Sequence, residues 1–335
     1  MTKVHKHKKS QTLRRSLFIS FLAYLTITIL PIAACADTFP RPEPTDDLIG
    51  GLKSVRATAE DTLIDIALRY NQGYEELKHA NPNVDPWLPR KGTVVILPSF
   101  YLLPNAPREG IVVNIAEMRM YYFPKTKKGE AGTLQTYPLS IGRGDWNTPS
   151  VVTKIARKQK NPTWYPPESV RKEHAKQGDI LPKAVPAGSK NPLGGYALYL
   201  SLPSYLIHGS NKEFGIGMQV THGCIRMSSN DIEWLFNNVP VGTQVRIVNQ
   251  PFKVGWDNGV LYAEVHPWLD GTSKADIKKQ TTLKDLLIAA RQLHPDYPID
   301  WNAVATIQKT ANGIPAAVGP TLTPMSFNTS DDDLK

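Results

Sequence analysis

Apolar residues first recur at helical spacing in residues 60–70. They stand three or four positions apart, and acidic residues at the start of this segment favour the amino end of a helix. The apolar positions concerned are Leu63, Ile66, Ala67 and Tyr70. A second helix is predicted over residues 73–81, with short strands at 54–57 and 92–98. The pattern therefore predicts a small β-α-α-β unit over residues 53–99.

Downstream of Pro104 the apolar residues alternate at every second position. Short runs of β-branched and aromatic residues, separated by Gly, Pro and Asn, occupy residues 111–115, 118–123, 134–141, 197–201 and 244–248. Alternation at this period is typical of half-buried strands. We therefore predict a mainly β domain over residues 108–249, with one helix that begins after the capping residues 228–231.

Three further segments carry weaker patterns. Residues 37–52 are rich in Pro, Asp and Gly and are predicted to form a linker. Residues 250–325 show little periodicity apart from a short helix around 283–293, and we assign them to a C-terminal extension. Residues 326–335 are predicted to be a disordered tail.

The amino terminus has the layout of a secretory signal peptide, which we predict over residues 1–36. It holds six basic residues and no acid, and its second half is an uncharged apolar run. Ala34-Cys35-Ala36 fits a cleavage site of A-x-A type, and Cys35 also ends a sequence that resembles a lipoprotein box. We favour cleavage near Ala36, and retention of the segment as a membrane anchor is the third reading. Each reading places residues 37–335 outside the cytoplasm.

Composition excludes a wholly disordered chain. Of 335 residues, 41% are hydrophobic and 9% are aromatic, which is enough for packed cores. The formal net charge is +9, but six of the positive charges lie in residues 1–36, which leaves +3 for the remainder. We therefore expect no nucleic acid as a partner.

Residues 205–227 concentrate chemically active side chains, including two histidines, four glycines and Cys224. A cysteine acts as a nucleophile when a neighbouring base or positive charge stabilises its thiolate. His222 lies two residues before Cys224, so the two side chains would share one face of an extended strand. His208 comes from an earlier strand end, where Gly209 permits a tight turn. Proximity alone favours His222 as the base, and the alternative for Cys224 is a small buried apolar residue.

The other neighbours of Cys224 suit acyl transfer. Gly223 has no side chain, so its N–H and that of Cys224 can approach a developing oxyanion. Arg226, two residues after Cys224, would place a guanidinium beside the sulfur, where it suits a substrate carboxylate. The segment therefore predicts a nucleophilic cysteine site.

The β-α-α-β unit resembles a LysM module. The matching features are the helix start at 59–63, Tyr70-Asn71, Glu76-Leu77, the Asn81-Pro82 turn and the final strand at 94–98. The resemblance implies that residues 53–99 bind the N-acetylated glycan chains of peptidoglycan. The alternative is a packing domain without a ligand.

The segment around Cys224 is similar to the signature of the YkuD-type L,D-transpeptidases, in particular the ErfK group of Gram-negative periplasmic enzymes. The similarity is carried by His208-Gly-Ser-Asn, Phe214-Gly-Ile-Gly and Thr221-His-Gly-Cys-Ile-Arg-Met227. Further motifs match in order at 147–150, 161–166, 191–194 and 242–245. Small departures at Ser150, Ser210 and Thr221 remove no catalytic group. The resemblance spans roughly residues 108–249 and implies a YkuD-type β-sandwich with short helices.

What the resemblance implies is cysteine acyl transfer on peptidoglycan stem peptides in the periplasm. Cys224 would attack the bond between meso-diaminopimelate at position three and D-Ala at position four, release D-Ala and form an acyl-enzyme sensitive to carbapenems. His208 would be the general base and acid, held through the carbonyl of Gly209. His222 and Gly223 would support the thiolate and the oxyanion.

The resemblance also implies the remaining partners. Arg226 and Thr221 would bind the substrate. The acceptor amine would belong to a second diaminopimelate, giving a 3→3 crosslink, or to a lysine of an outer-membrane lipoprotein, giving a wall anchor. No cofactor and no metal ion is expected.

Three alternatives stay open. With water as the acceptor, the same site would make a carboxypeptidase or a crosslink-cleaving hydrolase. His208, His222 and Cys224 could instead bind zinc in a metal-dependent hydrolase. A third reading is a non-catalytic wall-binding protein in which only the LysM-like unit has a ligand.

Overall fold

The computed structural model describes residues 1–2, 37–127, 129–320 and the backbone of 328–329. The predicted signal peptide, with Cys35, lies outside the described residues apart from Met1 and Thr2. The predicted tail also lies outside them, except for Asn328 and Thr329. Over the part described, no helix has the length and apolar composition needed to cross a bilayer.

Residues 37–52, predicted as a linker, instead contain two short strands, β1 (Asp37–Pro40) and β2 (Leu48–Gly50). The first pairs with the strand over Thr133–Pro138, and the second pairs with the strand over Phe100–Leu102. Phe39 and Ile49 pack in a cluster of apolar side chains beneath the large sheet. The sequence pattern did not reveal these strands, because strands this short, placed between prolines and acids, show no period.

The predicted β-α-α-β order is present as β3 (Lys53–Arg56), α1 (Leu63–Arg69), α2 (Tyr74–Ala80) and β4 (Val94–Leu97). Strands β3 and β4 pair antiparallel. Helix α1 begins at a capping box, in which Thr62 and Asp65 each accept a hydrogen bond from the other's backbone N–H. The apolar faces of both helices fill a small core of their own.

The next elements run from β5 (Phe100–Leu102) through β6 (Gly110–Asn114), β7 (Arg119–Phe123), β8 (Thr133–Pro138), β9 (Ile141–Gly142) and β10 (Val151–Lys160) to α3 (Glu168–Lys176). They continue with β11 (Tyr196–Leu200), β12 (Leu206–His208), β13 (Gln219–Thr221), β14 (Ile225–Arg226), α4 (Ser229–Asn238) and β15 (Gln244–Val248). Ser228 caps α4 as the sequence predicts, since its hydroxyl accepts the N–H of Asp231.

Nine strands form one sheet in the order β1-β8-β7-β6-β15-β10-β11-β12-β14. Within it, β6 runs parallel to β15 and β12 runs parallel to β14. The sheet curls until Ser140, just after β8, forms an antiparallel bridge with Arg226 in β14. Strands from both ends of the sheet therefore line one core, which holds Tyr137, Ile207 and Ile225. The mainly β prediction is confirmed in this curled form.

The C-terminal extension is folded. Its elements are β16 (Phe252–Asp257), β17 (Val260–Val265), α5 (Lys274–Lys279), α6 (Leu283–Arg291), α7 (Trp301–Thr310) and β18 (Ala316–Ala317), and β19 (Asn328–Thr329) pairs with β3. Helices α6 and α7 pack on the hairpin of β16 and β17 around a separate core. The hairpin escaped prediction because Lys253 and Glu264 occupy buried positions in it and pair with each other at 2.6 Å.

Candidate active site

Two adjacent strands carry the principal polar residues of the site. Parallel pairing sets Ile207 beside Ile225 and His208 beside Arg226. Side chains alternate along a strand, and those of Ile207 and Ile225 lie in the main core. His208 and Arg226 therefore share the opposite face of the sheet.

Cys224 immediately precedes β14 and is half-buried. Its Sγ lies 3.6 Å from the carbonyl oxygen of Ser204, in the turn that leads into β12. Burial raises the pKa of the Cys224 thiol, and a backbone hydrogen bond from Leu206 opposes this effect. The resting group is thus a neutral thiol, which would have to lose its proton to act as a nucleophile.

His208 can take a proton. Its side chain is buried, and its Nδ1 lies 2.7 Å from the carbonyl oxygen of Gly209. A carbonyl only accepts, so Nδ1 carries the hydrogen and Nε2 keeps its lone pair. Burial lowers the pKa of His208 to about 4, and the positive charge of Arg226 acts in the same direction. At neutral pH the imidazole is therefore an unprotonated base.

Arg226 offers a guanidinium with unused hydrogen-bonding capacity. Its Nε is buried and has no hydrogen-bond partner among the residues that the structure describes. Burial lowers the pKa of this side chain. An unpaired guanidinium in such a position favours the binding of an anion, because a carboxylate would satisfy both its charge and its donors.

The chain between β13 and β14 is a bend, so the expectation that His222 and Cys224 share one face of an extended strand is wrong. Gly223 has a φ of 99°, in the left-handed region that favours glycine. His222 consequently turns to other partners. Its Nε2 lies 3.1 Å from Oε2 of Glu173 in α3, and its ring meets Trp146 edge-on with the centroids 5.0 Å apart.

Two threonines fix this bend. The hydroxyl of Thr221 donates to the carbonyl of Cys224 at 2.6 Å and accepts the N–H of Gly223 at 3.2 Å. The hydroxyl of Thr148 donates to the carbonyl of Gly223 at 2.9 Å and accepts the N–H of Gly142 at 3.1 Å. Thr221 is therefore a buried residue that stabilises the bend, and the N–H of Gly223 already has a hydrogen-bond partner. A substrate-binding role for Thr221 stays a prediction.

The zinc alternative requires donor atoms that converge. Among the described residues, only Glu117, Glu264 and His266 bring three ligand atoms within 4.8 Å of one another. Both of these carboxylates already pair with the buried ammonium of Lys253, at 2.7 and 2.6 Å. The donor atoms of His208, His222 and Cys224 do not converge in this way within the described residues.

Sequence reasoning missed the residues that surround His222. Thr148 stands in the motif at 147–150, but its spacing alone gives it no role. Trp146 and Glu173 carried no signal, because they reach the site from the loop after β9 and from α3.

Comparison with known proteins identifies the family of the chain. The profile of the YkuD L,D-transpeptidase catalytic domain matches residues 108–247. Probable L,D-transpeptidase YcfS of Escherichia coli K12 is 40% identical over 311 residues, which cover 91% of this chain and 95% of that protein. Probable L,D-transpeptidase ErfK/SrfK of the same strain is 40% identical over 252 residues, or 74% of this chain and 80% of that protein.

A solved structure, L,D-transpeptidase 3 from Mycobacterium tuberculosis in complex with a faropenem-derived adduct, is more distant. It has 20% identity over 47% of this chain and 66% of that chain, with a TM-score of 0.31. The assignment accordingly rests on the sequence relatives and the profile. On that evidence the chain belongs to the YkuD family of L,D-transpeptidases.

Proposed function

We propose that this L,D-transpeptidase acts on peptidoglycan stem peptides through an acyl-enzyme on Cys224. The observation that carries the proposal is the placement of three groups on adjacent strands: His208 of β12 pairs in register with Arg226 of β14, and the half-buried thiol of Cys224 immediately precedes β14. Each group matches one need of the reaction, namely a nucleophile, a base and a grip on a carboxylate.

In the proposed acylation, one proton moves from Cys224 to His208 and then from His208 to the leaving D-Ala. Nε2 of His208 accepts the proton of the Cys224 thiol as Sγ attacks the carbonyl carbon between diaminopimelate and D-Ala. The backbone N–H of Cys224 donates to the oxyanion, since that of Gly223 is bound to Thr221. The C–N bond then breaks, His208 returns the proton to the departing amine of D-Ala, and a thioester remains.

The second half of the reaction passes the acyl group to an amine. His208, neutral again, takes a proton from the acceptor as its nitrogen attacks the thioester, and Cys224 leaves as a thiol. The acceptor is a second diaminopimelate side chain or a lysine of an outer-membrane lipoprotein. In both cases Arg226 binds a carboxylate of the stem.

We further propose that the protein works in the periplasm, where residues 53–99 bind the glycan as a LysM module. The order β3-α1-α2-β4 and its separate core support a module of this kind. The basic and apolar pattern of residues 1–36 supports export.

The test uses purified protein and a disaccharide-tetrapeptide donor. Wild-type protein should release D-Ala and form crosslinked dimers, and a carbapenem should add its mass to the chain. Cys224→Ala should abolish all three while its far-ultraviolet circular dichroism stays unchanged. Retained D-Ala release in Cys224→Ala would refute the mechanism, and release without any amine adduct would identify water as the acceptor.

A further inference from the structure

Glu173 reaches the catalytic bend from outside it. Helix α3 belongs to the long segment 161–195 between β10 and β11, which is tied together by a bridge between Trp164 and Val185 and by contacts of the Asn191 amide with the carbonyls of Pro162 and Val185. The carboxylate of Glu173 leaves this segment and contacts the two residues Arg143 and His222. It therefore joins the segment to the bend that carries Cys224.

The contact is specific to one acid of the helix. Glu168, also in α3, forms its ion pair with Lys172 of the same helix at 2.8 Å, and both side chains are exposed. The side chain of Glu173 retains only 25% of its surface. Its two oxygens are divided between partners, because Oε1 accepts from Arg143 and Oε2 lies 3.1 Å from Nε2 of His222.

This arrangement restricts the ring of His222 on two sides. A carboxylate accepts hydrogen bonds, so its contact places the imidazole hydrogen on Nε2. The edge-on contact with Trp146 limits rotation from the other side. Arg143 in turn holds the carboxylate, and its own backbone N–H donates to the carbonyl of Thr221 at 3.1 Å. Carboxylate, guanidinium and imidazole thus form one network around the bend.

We infer that Glu173 is a positioning residue for the reaction at Cys224, acting through His222. The inference rests on the proposed function and on the role that the family resemblance implies for His222, which is to support the thiolate and the oxyanion. Glu173 touches neither the sulfur nor the substrate. It fixes the tautomer and the direction of the ring two residues before the nucleophile, as the carboxylate does in a Ser-His-Asp triad.

The charged and titratable groups that face His222 come from two elements. Helix α3 contributes Glu173 and His174, and the loop after β9 contributes Arg143 and Asp145. Burial lowers the pKa of His222, and Glu173 is the contact that raises it. Loss of the Glu173 carboxylate should therefore move the titration of His222 to lower pH.

The experiment compares Glu173→Gln and Glu173→Ala with Glu168→Gln as the matched control on the same helix. Three quantities are measured for each protein: kcat and KM for D-Ala release, the rate of carbapenem acylation, and the pKa of His222 by NMR. We expect Glu173→Ala to lower kcat at least about tenfold with KM changed less than about threefold. Glu173→Gln, which keeps an acceptor oxygen, should lose less activity. Both should lower the pKa of His222, and Glu168→Gln should match the wild type.

The outcomes separate this inference from the proposed function. If the wild type is acylated but both Glu173 variants behave like Glu168→Gln, Glu173 has no positioning role. Faster acylation in Glu173→Ala would also overturn the inference, since it would make Glu173 an obstacle. If the wild type forms no acyl-enzyme although the Glu173 variants shift the titration of His222, the proposed function fails and only the contact is real. Should Glu173→Ala fail to fold, Glu173→Gln carries the test.

Discussion

Arg119, the first residue of β7, has no exposed side-chain surface, and its guanidinium pairs with the carboxylate of Glu76 in α2 at 2.5 Å. A second nitrogen donates to the hydroxyl of Thr136 at 2.7 Å, and the guanidinium carbon lies 4.3 Å from the ring centroid of Tyr101. Burial alone would lower the pKa of Arg119, but Glu76 raises it above its ordinary value. A charge buried in the large sheet is thus neutralised by the β-α-α-β unit.

Backbone hydrogen bonds also join the β-α-α-β unit to the β domain. The N–H groups of Tyr74 and Glu75, at the start of α2, donate to the carbonyls of Ile216 and Gly217 at 3.2 Å. Gly217 has a φ of 81°, and a Cβ there would come within 2.3 Å of Gly73. The β-α-α-β unit therefore packs directly on the chain that leads to β13 and the catalytic bend. A deletion of residues 53–98 would unpair Arg119, so it cannot separate wall binding from catalysis.

Glu76→Gln should destabilise the protein by about 3 kcal/mol, because it leaves the buried guanidinium of Arg119 without its counter-charge. The measurement is the urea midpoint at constant m-value. Glu75→Gln is the control, since the ion pairs of Glu75 within the described residues are with Lys78 and His79 of its own helix, and its side chain keeps 26% of its surface. It should change stability by less than about 1 kcal/mol.

The double variant Glu76→Gln/Arg119→Met tests whether the unpaired charge of Arg119 causes the destabilisation. It removes both charges, so it should recover part of the stability lost in Glu76→Gln. A double variant less stable than Glu76→Gln would mean that Arg119 contributes through Thr136 and Tyr101, and that the pairing with Glu76 matters little.

The rate of Cys224 acylation should fall on the acid side with an apparent pKa near 4. His208, the proposed base, must be neutral to accept the thiol proton, and its pKa is lowered to about 4 from an ordinary value of 6.5. The rate should therefore stay level as the pH falls through 6.5, and decline only as His208 becomes protonated near 4. The second-order rate constant for a carbapenem, measured against pH, gives this profile. An acid limb near 6.5 would place the base on a more exposed histidine.

His208→Ala should reduce acylation more than His222→Ala. Only His208 lies in the strand beside β14 with its tautomer fixed by a carbonyl, whereas His222 is turned toward Glu173. Loss of a general base typically costs a factor of about 100 or more. Rates of D-Ala release from the two variants give the ranking, and the reverse order would assign the base to His222.

Much of the fold follows from local patterns in the sequence. Helix α1 occupies Leu63–Arg69 within the predicted 60–70, because its apolar stripe and its capping box act locally. The large sheet follows from alternation at every second residue. The hairpin of β16 and β17 does not follow from any local pattern. It buries the charged residues Lys253 and Glu264, which pair with each other, and Lys253 also pairs with Glu117. Such compensation depends on residues far apart in sequence.

Some residues of the candidate site could likewise be predicted from the sequence, and others could not. Arg226 could be placed near Cys224 from its spacing, and the choice of His208 came from the family resemblance. The structure brings the strands of His208 and Arg226 together. The direction of the His222 side chain could not be predicted, because the positive φ of Gly223 bends the chain between His222 and Cys224. Glu173 was hidden for a different reason. It comes from a segment far from the bend in sequence, and the contact exists only in the folded chain.

Thr148 offers a test of how firmly the catalytic bend must be held. Its hydroxyl is buried and joins the N–H of Gly142 to the carbonyl of Gly223, so it fixes the residue next to the nucleophile. Thr148→Val keeps the shape but removes both hydrogen bonds. We expect acylation to slow by about tenfold or more, because small displacements of a nucleophile are costly. Thr148→Ser retains the hydroxyl and should keep most of the rate.

The two variants of Thr148 also distinguish positioning from general destabilisation. Both lose a methyl group or a hydroxyl at the same buried position, so both should lower the free energy of unfolding. Only Thr148→Val should slow the reaction of Cys224 with a carbapenem at a temperature where both proteins are folded. Equal rates for the two variants would show that the bend keeps its geometry through Thr221 alone, whose hydroxyl already spans Gly223 and Cys224.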